Sequence, residues 1–532
     1  MGADLPVEKR VRNPGHYLAR AHCGHCGDAN AEIDGTFVQY WRRHAGGNYL
    51  AFMRAAGAKL LHFPQAHRGC ADERPLRAAE DLSRRFLLSG IVGSFAAFGL
   101  PKRVRAQLLP VPQRPSRPLV FKNFRLFDGK SPSLRSNLNL VVQGSKIKSL
   151  DANAPPQGAL TIDCKGRVVM PGLIDAHVHT IMESISIVEA TTAPIGYVYA
   201  VAMRAAGQQL LRGFTTVRDM GGPSFGLKRA IDAGVCIGPR IFPSGAFISQ
   251  TSGHGDFDLP NEVPRAIGQM GYAERVGMTA IADGVDAVLM RVREQLRQGA
   301  SQIKMMAGGG VASNYDPLDV AQYTPEEFHA GVEAASAWGT YVAVHAYTPN
   351  AIRTALGQGV RCIEHGQLAD EPTAGLIADK GAWWSLQPFL NDEDATPFPK
   401  DSSNYVKQLQ MTEGTDTAYK LAKRHGAKTA FGTDILFDPR AAARQGAQLA
   451  KLARWYSPAQ ILKMATSDNA ALLAMSGPRN PYPGKLGVIE KNAYADLIVV
   501  NGNPLSDINL VADPGKNFAL IMKDGVIYKN TT

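Results

Sequence analysis

The stretch LIDAHVH, residues 173–179, is a short apolar run that ends in two histidines two positions apart. Its length and apolar character are typical of a buried β-strand. Side chains two positions apart in a strand point to the same side, so His177 and His179 can hold one metal ion together. Taken alone, such a pair is weak evidence for a metal site, and the rest of the chain must decide whether one is present.

Seven further short apolar runs follow this one, at residues 215–219, 240–245, 302–307, 341–346, 361–366, 383–388 and 429–434. Helical patterns lie between them, and several of these begin at Thr or Pro and end at Gly. Eight strand–helix units over about 300 residues predict the α/β class and a (β/α)8 TIM barrel, which we assign to residues 170–480. In that fold the functional side chains lie at the carboxyl ends of the strands.

Alternating apolar and polar residues flank the predicted barrel on both sides. Residues 117–169 and 481–532 each contain short strand patterns separated by Gly, Asp and Pro turns. Two small β segments at opposite ends of a sequence cannot each fold alone. The pattern therefore predicts one composite β-sandwich domain that is built from both chain ends.

The positive charge of the protein is concentrated in its first part. The formal net charge is +11, and residues 1–106 contain 16 Lys and Arg against 9 Asp and Glu. The remaining residues therefore carry only +4, and they contain no basic stripe with interleaved aromatic residues. This distribution argues against a nucleic-acid partner.

Residues 83–106 have the features of an export signal. Arg84 and Arg85 precede an apolar run, 87–100, which is too short to span a bilayer. Twin arginines before such a run are typical of a Tat-like signal, which predicts a periplasmic or secreted protein, or a cytoplasmic one if the signal is not used. Because a signal belongs at a true N-terminus, we interpret residues 1–82 as a non-native or disordered leader. No stable membrane span is predicted.

Cysteine usage points away from a disulfide framework. The motif HCGHC at 22–26 contains a C-x-x-C pair, but neither a surrounding βαβ pattern nor a second pair of zinc ligands accompanies it. We favour upstream sequence without function, and keep a thiol oxidoreductase or binding module as a remote alternative. Beyond the signal only Cys164, Cys236 and Cys362 remain, an odd number that predicts free thiols.

Polar residues mark the ends of the later barrel strands as well. His345, His365 and Asp434 lie at the ends of the fifth, sixth and eighth apolar runs, and Lys304 lies in the fourth. A buried ammonium group without a partner costs many kcal/mol, so Lys304 must be paired, neutral or chemically altered. A structural salt bridge is the simple alternative for this lysine.

This set of four histidines, one lysine and one aspartate resembles the amidohydrolase superfamily, whose pattern is H-x-H, a carboxylated lysine, two further histidines and an aspartate. The resemblance covers residues 117–532. It implies two divalent metal ions, with Zn2+ expected, and a CO2-derived carbamate on Lys304 that bridges them. The implied ligands are His177, His179 and Asp434 for the more buried ion, and His345 and His365 for the other.

The resemblance also implies a hydrolytic mechanism with Asp434 and Lys304 as catalytic residues. Two metal ions that share a water molecule lower its pKa. Asp434 would take the proton of this water and deliver it to the leaving nitrogen. The ion bound by His345 and His365 would polarise the scissile carbonyl.

Three further motifs resemble the imidazolonepropionase-like and Xaa-Pro dipeptidase-like branch, which includes carboxypeptidases and ochratoxin-hydrolysing amidohydrolases: GFTTVRDMGG (213–222), GPRIFPSG (238–245) and SGHGD (252–256). The branch implies hydrolysis of N-acyl amino acids or dipeptides, with ochratoxin A a plausible substrate that would give phenylalanine and ochratoxin alpha. His254 and Tyr347 match positions that contact the substrate in relatives, although a packing role stays open for both. Arg218 and Asp219 could form a structural ion pair.

Other activities of the same superfamily stay open at this point. A cyclic-amide hydrolase or a deaminase is the alternative, but deaminase relatives generally use one metal and lack the carboxylated lysine, so Lys304 argues against them. A small-molecule amide or peptide is the expected partner, and the resemblance implies a homo-oligomer.

Overall fold

The computed structural model describes residues 111–532, apart from 155, 260 and 262–268. The predicted leader (1–82), the predicted signal (83–106) and the C-x-x-C motif at 22–26 lie outside the described residues. Strands are numbered below in chain order.

Nine strands from the two ends of the described chain form two sheets: β1 (Leu119–Lys122), β2 (Arg125–Leu126), β3 (Asn139–Gln143), β4 (Lys146–Asp151), β5 (Leu160–Asp163), β6 (Val168–Pro171), β17 (Leu497–Val500), β18 (Phe518–Lys523) and β19 (Val526–Asn530). One sheet has the order β4-β3-β1-β5, and the other has the order β19-β18-β17-β6-β2. The second sheet thus joins strands from both ends of the sequence. Alternate side chains of both sheets, including Phe121, Leu140, Val169, Leu497 and Leu520, share one apolar core.

Ten parallel-paired strands build the central body: β7 (Leu173–Val178), β8 (Phe214–Asp219), β9 (Arg240–Pro243), β10 (Phe247–Ser249), β11 (Thr279–Ile281), β12 (Ile303–Met306), β13 (Val342–Ala346), β14 (Cys362–His365), β15 (Trp383–Leu386) and β16 (Lys428–Phe431). Their hydrogen-bonded orders are β7-β8-β9 and β11-β10-β12-β13-β14-β15-β16. Two backbone contacts join these sheets: Ser301 N donates to Pro243 O (2.7 Å), and Asp434 N donates to His177 O (2.8 Å). The fold class predicted from sequence, a TIM barrel with a composite β-sandwich, is confirmed.

Helices connect most strands of the barrel, and one short helix lies between β17 and β18 of the sandwich. The α-helices are Ile187–Thr192, Ile195–Leu211, Phe225–Asp232, Tyr272–Arg275, Val285–Gln298, Pro325–Ala337, Pro349–Gly357, Glu371–Asp379, Ser403–Arg424, Pro439–Ala443, Gln445–Ala450, Pro458–Lys463, Asn469–Ala474 and Pro514–Asn517. Shorter turns are Lys451–Arg454, Gly477–Arg479 and Ile508–Val511 (3-10) and Met464–Asp468 (π). Within the part of the chain that is described, we find no helix whose length and apolar content would let it cross a membrane.

Local sequence explains where these helices begin. The helix Pro325–Ala337, for example, follows Thr324, whose side chain accepts a hydrogen bond from Glu327 N, while Thr324 N donates one to the Glu327 carboxylate. This reciprocal pair satisfies two backbone donors at the helix start. Pro325 in the first turn has no N–H that needs a partner. The cap contributes about 1 kcal/mol to stability.

The barrel wall departs from the sequence prediction between its third and fourth strands. The predicted strand 240–245 ends at Pro243. A separate strand, β10, follows it, and β12 pairs with β10 rather than with β9. Gly245 has a φ of +77°, a left-handed conformation that interrupts a strand. Strands β10 and β11 were not predicted, because three-residue strands leave too short a pattern to read.

Candidate active site

The six side chains predicted as metal ligands lie at one end of the barrel. His177 and His345 lie in β7 and β13, His365 ends β14, His179 follows β7, Asp434 lies three residues after β16, and Lys304 lies inside β12. The imidazole centroids are 5.4 Å apart for His177–His179, 5.1 Å for His177–His365 and 4.5 Å for His345–His365. Because parallel strands align their carboxyl ends, residues distant in sequence meet in one buried cluster.

Each histidine uses one ring nitrogen to contact a protein acceptor: His177 Nδ1 to Glu364 Oε2 (2.8 Å), His179 Nδ1 to Gly221 O (3.1 Å), His345 Nε2 to Gly309 O (3.1 Å) and His365 Nδ1 to Gln387 Oε1 (2.7 Å). A carbonyl or carboxylate oxygen can only accept, so we assign the proton to the nitrogen that faces it. The other nitrogen of each ring then carries a lone pair. Imidazoles oriented in this way are the usual ligands of divalent metals.

These residues fit a metal ion by a separate observation. One ligand atom from each of His177, His365 and Asp434 lies within 4.8 Å of the others. His177 Nε2 is buried and has no hydrogen-bond partner among the described residues, although it lies 3.1 Å from Asp434 Oδ1. A buried nitrogen lone pair beside a carboxylate and a second imidazole is a donor set that suits zinc or a similar ion. His177 and Asp434 belong to the ligand set implied for the more buried ion, whereas His365 belongs to the other set. The division of ligands between two ions therefore stays a prediction.

Asp434 is held as a charged and conformationally constrained group. Burial alone opposes its ionisation, but when the imidazoles of His177 and His365 are protonated, their charge holds the pKa of this carboxyl well below its usual range. Its Oδ1 also lies 3.1 Å from His179 Nε2. Asp434 and His365 both adopt the left-handed backbone region, with φ of +51° and +75°. Such conformations cost roughly 1–3 kcal/mol each and are concentrated at functional sites.

Lys304 is almost fully buried, with 2% of its surface exposed. Burial lowers the pKa of its amine, while Glu364 and Asp434 act in the opposite direction. Within the described part of the chain its Nζ forms no hydrogen bond or salt bridge. The simple alternative, a structural salt bridge, therefore has no partner in this arrangement.

The two predicted substrate contacts also lie against the site histidines. The ring of His254 stacks on His345 with centroids 4.1 Å apart, and its Nδ1 contacts Ser313 Oγ (2.6 Å) and Asp316 Oδ2 (3.3 Å). Tyr347 lies 4.9 Å from His345 and 5.3 Å from His365, measured between ring centroids. Burial first, and then the charge of Asp434, raises the pKa of Tyr347 well above its usual value. Its hydroxyl therefore stays protonated and available as a donor.

The sequence prediction missed Glu364, which lies beneath the histidines. Glu364 Oε1 accepts a hydrogen bond from Arg218 Nη2 at 2.7 Å, while Glu364 Oε2 accepts one from His177 Nδ1. The suggested pairing of Arg218 with Asp219 was wrong, because neighbours in a strand point to opposite faces. Asp219 instead accepts from the backbone and hydroxyl of Thr180, which fixes the turn after His179. The sequence did contain a signal for the Arg218–Glu364 pair, because two apolar strands each carry a charged residue, and buried charges need partners.

We expect Glu364→Gln to weaken zinc binding by roughly 10- to 100-fold, because the carboxylate sets the orientation and tautomer of His177. The variant should also lose about 3–5 kcal/mol of unfolding free energy, since Arg218 keeps a buried charge without a carboxylate. Zinc competition and denaturant titration measure the two effects.

Tyr341→Phe is the matched control for that experiment. Tyr341 OH accepts from Arg218 Nη1 (3.1 Å), and the variant removes this bond alone. It should reduce stability by about 1 kcal/mol and leave zinc affinity unchanged. Equal zinc affinity in Glu364→Gln and Tyr341→Phe would contradict the orienting role.

Several known proteins are similar to this chain in sequence and in fold. The sequence model of the Amidohydrolase family matches residues 168–528. The ochratoxinase of Aspergillus niger is 33% identical over 375 residues, which cover 68% of this chain and 76% of that protein. A solved prolidase complexed with N-methylphosphonate-L-proline has a TM-score of 0.71 at 34% identity, and covers 78% of this chain and 100% of that chain. A Xaa-Pro dipeptidase with methionine bound in its active site has a TM-score of 0.66 at 29% identity, with 78% and 100% covered.

These matches confirm the resemblance that was inferred from the strand-end residues. The protein is a hydrolase that acts on amide bonds, and members of its family generally use a divalent metal. A family match over 168–528 and a relative of 33% identity show that the chain belongs to the amidohydrolase family.

Proposed function

We propose that this protein is a binuclear-metal amidohydrolase that releases the C-terminal amino acid from N-acyl amino acids or dipeptides. The observation that carries this proposal is the juxtaposition of Lys304 and four oriented imidazoles with His254 and Tyr347. The lysine and the four imidazoles suit metal-assisted hydrolysis. His254 and Tyr347 offer hydrogen-bond donors beside them for a substrate carboxylate.

Lys304 would supply the bridge between two Zn2+ ions. Its neutral amine attacks the carbon of CO2, so that a nitrogen–carbon bond forms, one carbon–oxygen π bond opens, and a proton leaves the nitrogen for solvent. The lowered pKa of the buried amine supports this reaction, since only the neutral form is nucleophilic. The resulting carbamate anion has two oxygens, and His177, His179, His345, His365 and Asp434 would hold the ions with it.

The bound ions would lower the pKa of the attacking water and polarise the scissile carbonyl. Asp434 takes the proton of this water and passes it to the leaving nitrogen, for which its ionised state at neutral pH is required. Glu364 and Gln387 hold His177 and His365 in place during the reaction. These contacts preset the geometry, so little reorganisation is needed at the moment of reaction.

His254 and Tyr347 would bind the free carboxylate of the substrate. Burying a carboxylate requires hydrogen-bond donors, and both side chains lie beside the histidine cluster. The compounds in the two solved relatives support this assignment, because methionine and the proline part of N-methylphosphonate-L-proline both carry such a carboxylate. The relationship to ochratoxinase supports an apolar or aromatic amino acid, as in ochratoxin A.

A panel of N-acyl amino acids and dipeptides tests this proposal, with each compound also supplied as its C-terminal amide. The zinc-loaded enzyme should cleave the free acids with a much higher kcat/KM than the amides, measured by release of the amino acid. A small change of the acyl group should matter less. Equal efficiency on free acid and amide would show that no carboxylate is bound, and would favour a cyclic-amide hydrolase.

Tyr347→Phe should reduce kcat/KM on the free acids by a factor that corresponds to about 1–3 kcal/mol, the value of one hydrogen bond to a charged group. Its zinc content should equal that of the wild type, since Tyr347 is not a proposed ligand. On the amides the two enzymes should differ little. A uniform loss on acids and amides would remove Tyr347 from carboxylate binding.

A further inference from the structure

Lys407 is a buried lysine that is neither a proposed metal ligand nor a proposed substrate contact. It belongs to the helix Ser403–Arg424, and 8% of its surface is exposed. Its Nζ donates to three backbone carbonyls of one loop: Gly310 O (2.6 Å), Ser313 O (2.6 Å) and Asp316 O (3.2 Å). An ammonium group has three N–H donors, so this loop satisfies all of them.

The arrangement gives the lysine a structural reason to stay charged. Burial lowers the pKa of Lys407, whereas the nearby Asp316 carboxylate acts in the opposite direction. Hydrogen bonds between a charged donor and a carbonyl are roughly twice as strong as neutral ones. The three carbonyls are thereby held at one point, which fixes the curvature of the loop.

The same loop contacts two residues of the active site. Gly309 O accepts a hydrogen bond from His345 Nε2, while Ser313 Oγ and Asp316 Oδ2 contact His254 Nδ1. Space in this region is tight, because a Cβ atom at Gly310 would lie 2.0 Å from the His254 ring. A shift of the loop must therefore move or release both imidazoles.

We infer that Lys407 is a positioning residue, which holds the loop 308–317 so that His345 is presented to a metal ion and His254 to the substrate. Its effect on His345 stands on the contacts above, and its effect on substrate selection rests on the function proposed here. Asn404, one turn earlier on the same helix, acts on the same loop, since its Nδ2 donates to Val311 O (2.7 Å) and Ser313 O (3.1 Å).

The test compares Lys407→Met with Asn404→Ala and a matched control, Lys523→Met. Lys523 is equally buried, with 6% exposed, and donates to the backbone carbonyl of Gly238 (2.6 Å). Gly238 precedes β9, at the opposite end of the barrel from the site. The control therefore removes the same kind of bond without contacting the loop 308–317.

Two readouts use the metal-free protein. Zinc affinity, measured by competition with a chromogenic chelator, should fall roughly 10- to 100-fold in Lys407→Met, less in Asn404→Ala, and not in Lys523→Met. Backbone hydrogen exchange of residues 308–317 should accelerate in the first two variants only. Lys523→Met is expected to lose stability alone, and its melting temperature serves as the reference for that effect.

The outcomes separate this inference from the proposed function. Unchanged zinc affinity in a folded Lys407→Met protein overturns the positioning role, whether or not exchange accelerates. If Lys407→Met does not fold, Asn404→Ala decides by the same two readouts. A wild-type enzyme that cleaves no N-acyl amino acid would defeat the proposed function, while zinc affinity and exchange would still test Lys407.

Discussion

Lys304→Ala is expected to lose most of its bound zinc and to reduce kcat/KM by on the order of 10³-fold or more, which corresponds to about 4 kcal/mol of transition-state stabilisation. The reason is that the proposed carbamate supplies both the bridge between the ions and the negative charge that balances them. Metal analysis after gel filtration and initial-rate kinetics on the best N-acyl amino acid measure the two losses.

Chemical rescue distinguishes this role from a structural one. Acetate or propionate added with zinc should restore part of the activity of Lys304→Ala, since a small carboxylate can occupy the space of the missing carbamate. The fold should persist, because the buried Lys304 amine makes no hydrogen bond or salt bridge within the described residues that the substitution would break. Two tightly bound zinc ions and near wild-type turnover in Lys304→Ala would refute the assignment.

Asp434→Asn should reduce kcat by roughly 10²- to 10⁴-fold, the usual contribution of a general acid–base residue. Asparagine keeps the size of the side chain and an oxygen, but it cannot accept the proton of the attacking water. KM should change much less, because Asp434 is not a proposed contact of the substrate carboxylate. Steady-state kinetics at saturating zinc measure both parameters.

The control for Asp434→Asn is a variant that changes the residue orienting His365 without removing the base. Gln387→Glu keeps an oxygen beside His365 Nδ1, whose partner at present is Gln387 Oε1 at 2.7 Å. This variant should retain much more activity than Asp434→Asn. If both variants lost the same small factor, Asp434 would have no special part in proton transfer.

The sequence predicted the barrel and its polar residues because each of the eight predicted strands is a short apolar run that is followed by a turn. His177, His345 and His365 are read at strand ends, and the fold brings strand ends together whatever lies between them. The composite sandwich was predictable for a different reason. The strand patterns at the two chain ends were each too short to predict a separate domain.

Other features could not be read from patterns. Strand β10 begins two residues after Gly245, and its partner β12 lies more than fifty residues away, so pairing depends on tertiary packing. Lys407 occupies a helix with mixed composition, where a lysine ordinarily faces solvent. Only the loop that folds over this helix makes it a buried donor.

Glu364 could be predicted from the sequence in part. The apolar strand 361–366 contains a carboxylate directly before His365, and a charge in a buried strand implies a partner of opposite charge. Arg218 in the strand 215–219 offered that partner, although its sequence neighbour Asp219 was considered first. The pairing crosses the barrel interior, and strand alternation rather than sequence proximity identifies it.

Carbon-13 NMR tests most directly whether a carbamate on Lys304 bridges two metal ions, as we propose. Protein reconstituted with zinc in ¹³C-labelled bicarbonate should show one carbamate carbon resonance, together with two zinc ions per chain. The resonance should be absent from Lys304→Ala prepared in the same way. A fully active wild-type protein that binds two zinc ions and shows no carbamate resonance would contradict the account.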